Sequence, residues 1–195
     1  MRIVGGRHRG RRIAAPEGLA VRPTADRTRE ALFDILTQGR VLRQGQALRD
    51  LHLLDAFAGS GALGLEALSR GARHVTFLES HATALAALRQ NVLALGELER
   101  ASVYRADVLH PPARPAELDP CGIVLMDPPY NQGLAGPALE ALAAAGWLDP
   151  GALVSVELMK TEDFEPPPGF AVVDQRKYGR AQLIFLRYQP AAPAA

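Results

Sequence analysis

Residues 53–64, which read LLDAFAGSGALG, decide the fold of this chain. Two leucines lead into Asp55, and the glycines Gly59, Gly61 and Gly64 follow with G-x-G-x-x-G spacing. The pattern predicts a buried strand that turns directly into a helix, because glycine lets the backbone approach a ligand closely and lets the helix pack tightly on the strand. A turn of this kind is typical of nucleotide-type cofactor sites.

Strand-like and helix-like segments alternate from residue 51 onwards. Repeated strand–helix units predict a parallel sheet with helices on both faces, hence an α/β fold with a seven-stranded, mostly parallel, Rossmann-like sheet. The last two strands are joined by residues 177–180 without room for a helix, so we expect an antiparallel C-terminal hairpin. The predicted strands are 51–57, 73–79, 101–106, 121–126, 152–158, 170–176 and 181–188, and the predicted helices are 26–38, 62–70, 81–95 and 136–145.

Helix ends are predicted from capping residues. Asp26 is placed to cap the start of helix 26–38, and Gly39 to end it. Ser80 and Gly96 are placed to cap the start and the end of helix 81–95.

The N-terminal end of the chain is basic. Residues 1–29 carry eight arginines against two acids, a net charge of +6, and since the whole chain carries +1, the remainder carries −5. Within this end, residues 2–13 place two short β-prone stretches around a Gly- and Arg-rich turn, which predicts a basic hairpin that projects from the main body. The predicted division is a hairpin-and-helix extension over 1–39, a main domain over 40–189 and a disordered tail over 190–195.

Composition narrows the class of protein. The single cysteine, Cys121, excludes an internal disulfide, and the five histidines show no metal-ligand spacing, so we expect no metal. No apolar stretch approaches the ~20 residues that cross a bilayer, so we expect no membrane partner and a cytoplasmic protein.

A second motif, Asp127-Pro128-Pro129-Tyr130, follows the apolar run 123–126. The prolines stiffen this turn and remove two N–H donors, which leaves carbonyl groups and the Asp127 carboxylate as hydrogen-bond acceptors. The Tyr130 ring offers a face on which a base can stack. Such a turn suits methyl transfer to a planar amino nitrogen, whose N–H groups must be bonded while the nitrogen becomes tetrahedral.

Three acids stand at the ends of successive predicted strands: Asp55, Glu79 and Asp107. They would repel a dinucleotide phosphate and suit a cationic sulfonium cofactor, which favours S-adenosylmethionine over a nicotinamide nucleotide. The predicted cofactor-binding residues are Asp55, Phe57, Gly59, Gly61, Gly64, Glu79, Ser80, Asp107, Val108 and Asp127.

These motifs resemble those of the S-adenosylmethionine-dependent methyltransferases. More narrowly, the stretches 2–6, 9–11, 22–24 and 26–30 resemble the RsmD family, and the likeness extends to about Tyr188. The resemblance implies a methyltransferase sheet and methylation of N2 of a guanine in small-subunit (16S) ribosomal RNA, within a partly or fully assembled small ribosomal subunit. S-adenosylhomocysteine would be the product of the cofactor.

Residue roles follow from this interpretation. Asp127, Pro128, Pro129 and Tyr130 are the predicted catalytic residues, with the target guanine flipped onto Tyr130 and its amino group bonded by the Asp127 carboxylate and the Pro128 carbonyl. The predicted RNA-binding residues are Arg2, Arg7, Arg9, Arg11, Arg12 and Arg22.

Other functions stay open at this point. A DNA adenine-N6 methyltransferase would share the catalytic turn, although the chain leaves no room for a separate sequence-reading domain. A protein glutamine methyltransferase usually has Asn at the position of Asp127. A non-catalytic RNA-binding assembly factor with a methyltransferase fold is a third alternative, and an NAD-linked enzyme is the weakest.

Overall fold

The computed structural model describes residues 1–15, 23–37, 41–42 and 47–190. A seven-stranded sheet forms its centre, with the strand order β3-β2-β1-β4-β5-β7-β6. The first five strands in this order are parallel to one another, and β7 runs antiparallel to both β5 and β6. The strands are β1 His52–Ala56, β2 His74–Glu79, β3 Ala101–Arg105, β4 Cys121–Met126, β5 Leu148–Met159, β6 Phe170–Tyr178 and β7 Ala181–Tyr188.

Four α-helices accompany the sheet in the described part of the chain: α1 Pro23–Thr37, α2 Ala62–Ser69, α3 Ala82–Leu95 and α4 Ala135–Ala144. The predicted mostly parallel α/β sheet with an antiparallel C-terminal hairpin is therefore confirmed. Strand β5 begins four residues earlier than predicted, with a register shift against β4 between Cys121 and Ile123.

Two predicted caps were wrong. Helix α1 begins at Pro23, so Asp26 lies inside it, where its Oδ1 accepts a hydrogen bond from Arg29 at 2.8 Å. Helix α3 is preceded by His81 rather than Ser80, and no side chain caps it. Gly96 does end α3 with a φ of 71°, a left-handed conformation that glycine adopts without strain. Gly39 lies outside the described residues.

Alternation along the strands divides the core into two clusters. Leu53 of β1 and Leu125 of β4 pack with α1, α2, α3 and the N-terminal hairpin on one face. Leu54 and Val124 point to the other face and pack with α4. Each face is therefore covered, as expected when parallel strands are joined by helices.

The N-terminal hairpin packs on the domain instead of projecting from it. Arg2 and Arg12 form an antiparallel bridge, and Ile3 and Ile13 are 0% and 3% exposed within the same core cluster as Leu53. The tip contacts the C-terminal end of α2, where the Arg7 N–H donates to the Ser69 carbonyl and the His8 N–H to the Ser69 hydroxyl. The expectation of a projecting hairpin overlooked the two isoleucines, which need a buried surface.

The division of the chain at residue 39 stays a prediction. Residues 191–195 of the predicted tail lie outside the described part of the chain.

Candidate active site

The glycine-rich turn is fastened to strand β2. The Ala58 N–H donates to the Leu78 carbonyl at 3.0 Å, and the Gly59 N–H donates to Glu79 Oε2 at 2.7 Å. Phe57 has a φ of 62°, which is uncommon for a residue with a side chain, and Gly59 has a φ of 56°. The backbone therefore reverses sharply at the carboxyl end of β1, and a strained residue at such a position points to a ligand site.

The three glycines of the turn have different surroundings. A Cβ on Gly59 would meet no atom within 4 Å, so the backbone here borders open space. A Cβ on Gly61 would lie 2.4 Å from Leu88, and one on Gly64 would lie 2.2 Å from Phe77. Gly59 thus leaves room for a ligand, whereas Gly61 and Gly64 allow α2 to approach its neighbours closely.

Asp55 is buried beneath the turn. It is 1% exposed, and its Oδ2 accepts a hydrogen bond from the Gly64 N–H at 2.8 Å. Burial raises the pKa of Asp55 well above its ordinary value, the Gly64 bond opposes that shift, and the negative charges of Asp127 and Glu79 raise the pKa further. A cation bound at this edge of the sheet would relieve that repulsion.

Glu79 and Asp107 continue the edge beyond β1. Both oxygens of Glu79 accept backbone hydrogen bonds, from Gly59 at 2.7 Å and from His81 at 2.6 Å, so its carboxylate is held in one orientation. Asp107 is exposed; hydrogen bonds from His110 and from the Leu109 N–H lower its pKa.

Ser80 and Val108 stand beside these acids. Ser80 is exposed, whereas Val108 is 4% exposed and packs in the core cluster that contains Leu54. Their positions in the sequence did not predict that Ser80 is exposed and that Val108 is a core residue.

The Asp127–Tyr130 turn follows β4 directly. Asp127 is exposed, Pro128 is buried, and Tyr130 is half-buried with its hydroxyl donating to Glu157 Oε1 at 2.8 Å. Asn131 leaves the turn with a φ of 57° and donates its N–H to Glu162 Oε2 at 2.9 Å.

Strand register brings four carboxylates to one edge and one face of the sheet. Asp55 pairs with Leu125 of β4, and Met126 pairs with Val156 of β5. Alternation therefore directs four carboxylates at or near the carboxyl ends of the neighbouring strands β2, β1, β4 and β5 to the same face: Glu79, Asp55, Asp127 and Glu157. The effect of Asp127 and Glu79 on the pKa of Asp55 agrees with this placement.

The sequence interpretation missed two polar residues that contact this region. Glu157 is the one charged residue in the mostly apolar stretch 152–159, and a carboxylate in such a stretch indicates a polar partner or a functional role. Asn91 is 4% exposed on α3, and its Nδ2 donates to the Ser60 carbonyl at 3.0 Å and to the Ala14 carbonyl at 2.9 Å. Asn91 thus joins the glycine-rich turn to the base of the N-terminal hairpin.

Several hairpin arginines have protein partners. Arg7 forms an ion pair with the buried Glu97, and Arg11 donates to the Ala94 carbonyl at 2.5 Å. Arg2, Arg9 and Arg12 are exposed. Arg22 lies outside the described residues.

Two further findings concern the described part of the chain. It contains no group of three or more His, Cys, Asp or Glu side chains arranged to hold a metal ion. None of its helices is long and apolar enough to cross a membrane.

Comparisons with known proteins agree with the geometry. A family model described as "Conserved hypothetical protein 95" matches residues 1–187. "Ribosomal RNA small subunit methyltransferase D" of Haemophilus influenzae is 35% identical over 180 residues, which are 92% of this chain and 89% of the relative. The protein of the same name from Escherichia coli K12 is 38% identical over 157 residues, 80% of this chain and 74% of the relative.

Solved structures show the same likeness. The structure of a candidate methyltransferase from Escherichia coli superposes on this chain with a TM-score of 0.78 at 32% sequence identity. The superposition covers 97% of this chain and 98% of the Escherichia coli chain. Fold, motifs and relatives together define the class: the chain is a methyltransferase with a Rossmann-like sheet. Within that class it belongs to the RsmD family, to which the matching family model corresponds.

Proposed function

We propose that this chain transfers a methyl group from S-adenosylmethionine to the exocyclic N2 amino group of a guanine in small-subunit ribosomal RNA. One observation carries the proposal. Strands β1 and β4 are parallel neighbours in register, so the glycine-rich turn after Ala56 and the Asp127–Tyr130 turn after Met126 leave the sheet side by side. A donor pocket and a set of amine acceptors are thereby adjacent at the carboxyl edge, where open α/β sheets bind ligands.

The residues at the edge fit a cationic cofactor. Asp55 has a raised pKa partly because Asp127 and Glu79 repel its charge, and the ammonium and sulfonium groups of S-adenosylmethionine would offset that repulsion. Glu79 is oriented by two backbone N–H groups and retains lone pairs for ribose hydroxyls. The open space beside Gly59 admits the ligand. S-adenosylmethionine supplies the electrophilic methyl group when it is bound.

The Asp127–Tyr130 turn supplies the acceptors for the amine. Asp127 accepts a hydrogen bond from the amino group through its carboxylate and Pro128 through its carbonyl, so that the nitrogen lone pair turns towards the methyl group. Tyr130 provides the face on which the flipped base stacks. Asp127 orients and polarises the amine, and the product ammonium afterwards releases its proton to water or a nearby base.

The substrate assignment rests on the relatives. Two of them, at 35% and 38% identity, are named as small-subunit ribosomal RNA methyltransferases. The exposed Arg2, Arg9 and Arg12 add cationic groups that suit phosphates, which supports an RNA substrate. We further propose that this RNA lies within a partly or fully assembled small ribosomal subunit.

The decisive variant is Asp127→Ala. We expect at least a hundredfold loss of methyl transfer to small ribosomal subunits that lack the modification, because an electrostatic partner of the reacting amine is removed. Calorimetry should show S-adenosylmethionine binding retained. Asp50→Ala is the matched control, since Asp50 is an exposed carboxylate just before β1, at the opposite edge of the sheet. Near-wild-type transfer by Asp127→Ala would refute the assignment.

The same assay separates the rival functions. Transfer to adenine in duplex DNA, with none to small subunits, would indicate a DNA adenine-N6 methyltransferase. Absence of S-adenosylmethionine binding by the wild-type chain would indicate a non-catalytic assembly factor. Mass spectrometry of the methylated RNA identifies the base and the nitrogen.

A further inference from the structure

Glu157 is the one charged residue in the second half of β5, residues 152–159. Its neighbours Val156 and Leu158 are 0% and 1% exposed, and Glu157 itself is half-buried. A carboxylate partly withdrawn from water is unfavourable unless hydrogen bonds replace its hydration. The Tyr130 hydroxyl provides such a bond to Oε1 at 2.8 Å, which joins β5 to the turn that follows β4.

The bond restrains the part of Tyr130 that a base would contact. The outer torsion of a tyrosine ring is broad, so a half-buried ring samples a range of tilts when only packing restrains it. A hydrogen bond to a carboxylate is stronger than one between neutral groups and is directional. The bond holds the hydroxyl end of the Tyr130 ring in place. Because a phenolic O–H prefers to lie in the plane of its ring, the bond also favours the ring plane that contains Glu157 Oε1.

The segment after β5 secures the exit of the same turn. Glu162 Oε2 accepts the Asn131 N–H at 2.9 Å, and the Gln182 Nε2 donates to the Glu162 carbonyl at 2.7 Å and to the Met159 carbonyl at 3.0 Å. Gln182 is 3% exposed on β7. Tyr130 therefore lies in a turn whose last residues are tied to β5 and, through Gln182, to β7.

We propose that Glu157 is a positioning residue that fixes the plane of the Tyr130 ring for stacking of the target base. The proposal rests on the proposed function and adds to it a residue that acts through Tyr130. A ring that is already held in one plane loses less conformational entropy when the base stacks on it. It also keeps the amino group in line with the donor methyl group.

A double-mutant cycle tests the proposal. Tyr130→Phe and Glu157→Leu should each lower kcat/KM for small ribosomal subunits about tenfold, and the double variant should be no slower than either single variant, because both changes remove the same bond. Glu157→Gln keeps a carbonyl acceptor and should recover kcat/KM to within about threefold of wild type. The dissociation constant of S-adenosylmethionine should stay within about twofold of wild type in all four variants.

Glu140→Leu is the matched control, since Glu140 is exposed on α4. The proposal would be overturned if the effects of Tyr130→Phe and Glu157→Leu on kcat/KM multiplied in the double variant. It would also be overturned if S-adenosylmethionine binding weakened in proportion to the lost activity, because that result would indicate general damage to the site. A wild-type chain that methylates no small subunit would overturn the proposed function itself, whereas an active wild type with independent single effects would overturn only the role of Glu157.

Discussion

Gly64 lets helix α2 pack closely against strand β2, because it has no side chain at the point of contact. A Cβ at this residue would lie 2.2 Å from Phe77 Cε1 and 2.8 Å from Val75 Cγ1, both on buried β2. We expect Gly64→Ala to lower the free energy of unfolding by about 1–3 kcal/mol, because overpacking forces the helix off the strand. Urea denaturation measures the change. Gly136→Ala on α4, where a Cβ meets nothing within 4 Å, should cause no loss. Equal stability of the two variants would contradict the close packing at Gly64.

His52 is a buried histidine that folding keeps neutral. It is 3% exposed, its Nδ1 lies 2.6 Å from the Asp119 carbonyl, and its Nε2 lies 2.9 Å from the Thr76 hydroxyl. A proton on Nδ1 and a lone pair on Nε2 satisfy both contacts. The pKa of His52 is lowered from 6.5 to about 4. Burial is the main cause, the hydrogen bond to the Asp119 carbonyl opposes the shift, and the charges of His74 and Arg73 add to it.

Stability should therefore fall as the pH decreases from about 6.5 to about 4. Between these pH values the unfolded chain binds a proton at His52 that the folded chain does not bind. The free energy of unfolding is therefore unaffected by His52 above pH 6.5 and is lower by on the order of 3 kcal/mol at pH 4. His52→Gln should flatten this limb in urea denaturation series at successive pH values. Some slope should persist, since the pKa of His74 is also lowered. An equally steep limb in the variant would exclude His52 as its cause.

At the scale of elements, Glu97 fastens the N-terminal hairpin to the end of α3. Its side chain is fully buried and accepts hydrogen bonds from Arg7, from His8 at 2.7 Å and from Arg100 at 2.7 Å. Burial alone would raise the pKa of Glu97, but the three hydrogen bonds outweigh it and lower the pKa below 4.5. The anchorage is therefore present above about pH 4.5 and is lost as the pH falls through the lowered pKa.

Glu97→Gln should loosen the hairpin without unfolding the sheet. The amides of Gly10 and Ile13 are bonded across the hairpin, to Ile3 and Met1, and we expect their hydrogen exchange to accelerate about tenfold or more at neutral pH. Amides of β4 should keep their protection. Glu99→Gln, an exposed carboxylate two residues away, is the control and should leave both sets unchanged. Faster exchange in β4 would show that the hairpin does not open on its own.

Sequence periodicity predicted the elements better than their contacts. The repeated strand–helix pattern predicted the parallel part of the sheet, and the short linker 177–180 predicted the antiparallel hairpin, because apolar patterning and linker length are local properties. Asn91 and Glu157 were missed because their partners are Ser60 and Tyr130, which lie distant in the chain. Which strands become neighbours depends on the packing of the whole domain, and only strand order places Glu157 beside the Asp127–Tyr130 turn.

Across the whole domain, the glycine-rich turn and the hairpin tip lie at opposite ends of α2. In a strand–helix–strand unit the helix returns to the amino edge of the sheet, so Ser69 and Glu97, which hold the tip, are remote from Gly59. The base of the hairpin lies nearer, since Asn91 bonds both Ala14 and Ser60. We therefore expect an RNA bound at the carboxyl edge to contact the hairpin tip only if it extends beyond the length of α2.

Substitution of the exposed hairpin arginines can therefore test whether the RNA substrate extends as far as the hairpin. All five of these hairpin arginines are exposed, but Arg7 and Arg11 are engaged by Glu97 and by the Ala94 carbonyl. Arg2, Arg9 and Arg12 should therefore provide the phosphate contacts. Replacing all three with Gln should reduce the slope of log affinity against log salt concentration by about 2, at roughly 0.7 per phosphate contact. Fluorescence anisotropy with small-subunit RNA over a salt series measures the slope. Replacing the exposed Arg49, Arg73 and Arg89, none of which lies at the carboxyl edge, with Gln is the charge-matched control. A slope that falls equally in both triple variants would show that only net charge matters, and an unchanged slope would show that RNA does not reach the hairpin.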